Sequence, residues 1–173
     1  MRDVSAIVIA VVTLVTSATA ASAVPNELKG KSVVLTWTEN RMQRREGASE
    51  FRAATISMGL SLYVSTEGRV FNRMQSNSGS SEQAPGEPLK GGRLPSFSGN
   101  TMTIMQPLRA LARRIVVTFD GGFGSCTVSV IAGKEEGAGQ GHLKAFGTGQ
   151  PIEIQSVTAT NTNCTVKNRN VFE

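Results

Sequence analysis

The residue types that most often carry catalysis are scarce in this chain and poorly spaced. His142 is the only histidine in 173 residues, and beyond residue 23 Asp120 is the only aspartate. A serine nucleophile would need His142 as its base and a carboxylate to orient it, and no G-x-S-x-G elbow is present. His142 follows Glu135 and Glu136 on a glycine-rich segment. A zinc site needs three or four converging ligands, so we expect no metal and no cofactor. Gly137-Ala138-Gly139-Gln140-Gly141 has the wrong third spacing for a dinucleotide loop, and no G-K-[ST] follows a glycine-rich turn. Eleven glutamates keep one enzymatic alternative open, a glutamate-dependent extracytoplasmic hydrolase. Sugar clefts, however, ordinarily offer aromatic platforms, and the chain has one Trp and one Tyr.

The cationic residues are more suggestive. Arg41, Arg44, Arg45 and Arg52 cluster early, Arg113 and Arg114 lie midway, and the net charge is +5. Beyond residue 23 arginine outnumbers lysine by 11 to 6. A guanidinium fork matches phosphate and carboxylate better than an ammonium does. We therefore take Arg41, Arg44, Arg45 and Arg52 as candidate anion-binding residues, with an anionic envelope component or a small ligand as partner. The same charges on a strand edge would also discourage aggregation. Few aromatics are available for base stacking, so nucleic acid is not expected.

The first 23 residues read as a secretory signal. Met1-Arg2-Asp3 is a short charged start, Ala6–Val15 is apolar apart from Thr13, and Ala21-Ser22-Ala23 supplies small residues at a cleavage site. The apolar run is about half the roughly 20 residues that a spanning helix requires, so we expect no transmembrane segment in the mature chain. Cleavage after Ala23 leaves 150 residues, one domain's worth. The product is expected to be extracytoplasmic, periplasmic or secreted. In an oxidising compartment two cysteines have one possible pairing, Cys126 with Cys164. Asn163-Cys164-Thr165 fits a glycosylation sequon, which we read as chance.

These functional residues must be held by strands. Val33, Leu35 and Trp37 alternate with Val34, Thr36 and Thr38, and Ile56, Met58, Leu60, Leu62 and Val64 alternate with small or polar residues. Ser65-Thr66-Glu67-Gly68 reads as a turn into a strand at 69–75, making a hairpin. Further strands are expected at 101–106, 114–119, 126–132, 151–160 and 165–172, with a tight turn at Asp120-Gly121-Gly122. Residues 76–95 and 133–150 are rich in glycine and have no apolar period, so two long loops are expected there.

About eight strands with short links predict a single all-β domain over 24–173, an antiparallel barrel or sandwich. Leu28-Lys29-Gly30-Lys31, leading into a Trp-bearing strand, resembles the start of calycin-type barrels such as the lipocalins. That resemblance implies a closed barrel, although Ser32 and not Trp stands two residues after Gly30. The functional expectation is a non-catalytic binding or envelope-interaction module. Besides the hydrolase, a small outer-membrane barrel is an alternative, since eight strands and 150 residues fit one.

Overall fold

The computed structural model describes residues 23–77, 79–81, 87–107, 112–133, 143–144 and 151–173. Residues 1–22 of the signal, His142, Glu135 and Glu136 lie outside them. The described chain is almost entirely β, with two short 3-10 turns at Asn26–Leu28 and Gly91–Arg93 and no α-helix. Ten strands follow: β1 (Ser32–Arg45), β2 (Arg52–Val64), β3 (Val70–Ser76), β4 (Gly79–Ser81), β5 (Ser96–Ser98), β6 (Thr101–Pro107), β7 (Ala112–Phe119), β8 (Cys126–Gly133), β9 (Leu143–Lys144) and β10 (Pro151–Lys167).

They form two antiparallel sheets. The larger runs in the order β4-β3-β2-β1-β10-β9, and the smaller in the order β5-β6-β7-β8. Among the described residues no ladder joins the sheets, so the structure is sandwich-like and not a closed barrel. The barrel implied by the calycin resemblance is thereby corrected. β8 and β10 are joined by the Cys126–Cys164 disulfide, with Cα atoms 5.6 Å apart, but they belong to different sheets.

Alternation dictates the core. Val33, Leu35 and Trp37 on β1 stand opposite Leu62, Leu60 and Met58 on β2, and all six are buried. From the other sheet, Met102, Ile104, Ile115, Val117, Phe119 and Val130 close the layer. A one-residue slip would turn every one of these side chains to the solvent. The two expected turns are present. Gly68 donates to the Ser65 carbonyl (2.9 Å) with φ +82°, a value that glycine adopts without steric cost. Between β7 and β8, Asp120 accepts from the Gly124 amide (2.8 Å) and from the Ser125 amide and hydroxyl (3.1 and 2.9 Å). Those bonds, the Gly124 amide foremost, hold its carboxyl below the usual range. Asp120 is thus a turn cap.

Three expectations needed correction. β1 continues to Arg45, well past Thr38, for reasons given below. The two glycine-rich stretches are not wholly loops, because β4 pairs with β3 and β9 pairs with residues 151–152. The segments 151–160 and 165–172 are not two strands. One strand spans 151–167, and the chain leaves it before residue 172. Its inward side chains change parity twice, from Ile152 and Ile154 to Val157 and Ala159, then to Cys164 and Val166. Each change falls at a register shift against β1, between Met42 and Gln43 and between Thr36 and Thr38. Each shift inserts one extra residue on β10, a β-bulge. Asn161 sits in the second bulge with φ +51°.

Candidate anion-binding site

On β1 the period-2 alternation continues beyond Trp37 with polar residues at the core-facing positions: Glu39, Arg41, Gln43 and Arg45. Since the register with β2 runs without a shift, Glu39 is carried inside along with Trp37 and is fully buried. The opposite sheet supplies the same kind of residue. Arg113 shares the inward face of β7 with Ile115, Val117 and Phe119, and is 2% exposed.

These side chains meet between the sheets. Glu39 Oε1 accepts from Trp37 Nε1 (2.9 Å) and from Arg113 Nε, while Oε2 accepts from Arg41 Nε (3.0 Å), Arg41 Nη2 and Arg113 Nη2 (3.1 Å). Five donors fill the roughly four lone-pair positions of one carboxylate. Burial pushes the Glu39 carboxyl up, but the Arg113 hydrogen bond and charge, the Arg41 charge and the Trp37 hydrogen bond outweigh it and hold it at about 2. Burial draws the Arg41 guanidinium down, against the pull of Glu39. Glu39 therefore has no proton to give at neutral pH and no free lone pair with which to take one. It is a structural counter-ion and not a general acid or base.

The charges do not balance. Among the described residues, two buried guanidinium groups face one carboxylate, an excess of one positive charge, and Arg113 Nη1 is buried without a hydrogen bond, as are the side-chain oxygens of Gln43 and Gln106. Gln106 stands directly across from Arg113 on β6, and Gln43 stands across from Arg52 on β2. Arg52 also lies on the diagonal from Arg41, whose own cross-strand partner is Ala54. Diagonal neighbours have Cα atoms about 7–8 Å apart, within reach of arginine side chains. Arg45 is two positions beyond Gln43 on the same face, and Arg45 and Arg52 are both exposed. No ion pair among the described residues engages either one.

The four arginines singled out in the sequence thus separate. Arg41, Arg45 and Arg52 share the core-side face at one end of the larger sheet. Arg44 points to the opposite face, bonds Glu153 through Nε (2.8 Å) and Nη2 (2.7 Å), and lies over the Phe51 ring at 4.5 Å. Sequence reasoning missed Glu39, Arg113 and Gln106. The signal was available: Glu39 continues the parity of Val33, Leu35 and Trp37, and Arg113 that of Ile115, Val117 and Phe119. Among the described residues no group of three or more His, Cys, Asp and Glu could hold a metal ion, and no helix is long and apolar enough to cross a membrane. The chain matches no family model, no curated protein and no solved structure.

Proposed function

We propose that the protein is an exported, non-catalytic binding module whose ligand is anionic and docks at the basic end of the sandwich. The observation that carries this reading is the unbalanced buried cluster: two guanidinium groups on one carboxylate, with Arg113 Nη1 unpartnered. An uncompensated buried charge is costly. An oxyanion held by Arg45 and Arg52 at this end would offset the excess positive charge. The signal-like segment at 1–23 and the Cys126–Cys164 disulfide support an extracytoplasmic setting, where the anion would belong to an envelope component.

Inorganic phosphate is the probe. Titration at constant ionic strength should raise the thermal midpoint of the wild-type protein relative to chloride, because a ligand that binds only the folded state stabilises it. The Arg45→Gln/Arg52→Gln variant, altered only at exposed positions, should fold normally and lose at least about tenfold in affinity, in line with one or two charge-assisted hydrogen bonds. Equal phosphate binding by variant and wild type, or no shift in the wild type, would refute the assignment.

A further inference from the structure

The outer face of the larger sheet carries a second set of groups that the anion site does not use. Residues whose side chains point away from the core form cross-strand rows there. Asn163, Thr36, Gly59 and Gln75 stand side by side on β10, β1, β2 and β3, and Thr160, Thr38 and Ser57 form the next row. Asn77 extends that second row, because its side-chain oxygen accepts from the Ser57 amide (3.1 Å) while its own amide donates to the Ser57 carbonyl (3.1 Å). Between the rows lies an open groove of about 460 Å³, lined by Thr36, Thr38, Ser57, Gln75, Asn77 and Asn161 around Gly59.

Gly59 has no local reason to be glycine. Its φ is not positive, and a Cβ built there would meet nothing closer than the Leu35 carbonyl at 3.9 Å, an ordinary contact. A glycine inside a strand weakens it, and such glycines often mark a bulge, a bend, or the close approach of another backbone or of a ligand; with an open groove above Gly59, a ligand is the approach that fits. Beside it the β10 bulge holds Asn161 at φ +51° on the groove wall. Bulges of this kind re-aim a side chain.

The lining decides the class of ligand. In a chain of net charge +5, none of the groove residues is charged. Each hydroxyl and amide can both donate and accept, which suits a ligand with many neutral hydroxyls. An aromatic surface lies on the same face. Tyr63 and Phe71 are cross-strand partners with ring centroids 6.2 Å apart, both are half-buried, and the Arg69 guanidinium lies over the Phe71 ring at 5.9 Å. Tyr63 is four residues along β2 from Gly59, about 13 Å, and the row between them holds Ser61 and, across from it on β3, Arg73, whose guanidinium lies over the Phe172 ring at 5.2 Å. Counting Trp and Tyr alone hides this pair, because one of its rings is a phenylalanine.

The geometry points to an uncharged oligosaccharide lying along β2, hydrogen-bonded in the Gly59 groove and resting on the Tyr63–Phe71 pair. The site is independent of the anion site, since the two occupy opposite faces of the sheet.

An array of neutral and charged oligosaccharides tests it, with Gly59→Thr as the principal variant. Threonine fits a strand and fills the groove, so the variant should melt at or above the wild-type temperature. It should bind the array hits at least about tenfold more weakly, as expected when the close approach is blocked. Tyr63→Ser should weaken the same hits, while Arg45→Gln/Arg52→Gln should leave them unchanged. Gly59→Thr should in turn leave phosphate binding intact, which separates failure here from failure of the anion site. The inference is overturned if the wild type retains no uncharged glycan, if it retains only charged ones, or if Gly59→Thr binds as the wild type does.

Discussion

Replacing Glu39 with glutamine preserves the shape of the side chain and removes the one negative charge that Arg41 and Arg113 share, the two being 7% and 2% exposed. Two independent estimates give the cost. Removing one partner of a buried ion pair is worth about 3–5 kcal/mol. The carboxyl pKa, held at about 2 against an ordinary 4.5, corresponds at 1.36 kcal/mol per unit to about 3 kcal/mol for neutralising the same group. The sign follows from the depressed value. The contribution is fully present above about pH 4.5 and is lost as pH falls towards about 2. Against a typical total of about 5–15 kcal/mol, Glu39→Gln should therefore lower the melting temperature by roughly 6–20 °C at pH 7. It should also flatten the acid limb of the stability–pH curve. Thermal unfolding at pH 7, and urea unfolding across pH, followed by circular dichroism and by the fluorescence of Trp37, the sole tryptophan, measure the two effects. Replacing all three ions together, Glu39→Met, Arg41→Leu and Arg113→Met, should recover most of the loss, because it is the unpaired charge that is expensive. A loss below about 1 kcal/mol for Glu39→Gln, the range of ordinary surface substitutions, would refute the argument, as would an unchanged acid limb.

Replacing Cys126 and Cys164 together with alanine should cost about 4 kcal/mol, the chain-entropy value for the 38-residue separation. The wild-type exported protein should show no free thiol by mass measurement. Leu60→Ala, at a fully buried position on β2, should cost about 2–5 kcal/mol in denaturant unfolding. N-terminal sequencing of exported material should begin at Val24, and a retained Met1 would contradict the signal reading.

The strands β1 and β2 are legible because their apolar residues keep strict parity, the β2–β3 hairpin because Ser65–Gly68 marks its turn, and the disulfide because two cysteines leave one pairing. The alternation of β1 reads only as far as Thr38 because Glu39 and Arg41 look like surface residues when each is taken singly. Only the parity with Val33, Leu35 and Trp37 places them inside, and only the inward parity of Arg113 on a distant strand explains why that is tolerable. β10 was harder still. A strand whose buried side chains change parity twice has no single period, so a search for alternation breaks it at the bulge holding Asn161. The choice between barrel and sandwich stays open in the sequence for a different reason. Strand number and length do not state whether the last strand pairs with the first sheet or closes a seam.

The two sheets have different origins along the chain. The smaller is built from the unbroken run 96–133, whereas the larger joins the beginning of the chain to its end, with Ser32 opposite Lys167 and Arg45 opposite Ile152. Closing so long a loop has an entropic cost that local hairpins avoid. The meander β5–β8 and the β1–β3 hairpins can therefore assemble before the β1–β10 ladder does. Oxidation of Cys126 and Cys164 ahead of amide protection in β1 and β10 would contradict that order. With that order, a chain emerging N-terminus first stays unfinished until its last strand is available, and the covalent bond between the sheets seals an arrangement that it does not nucleate.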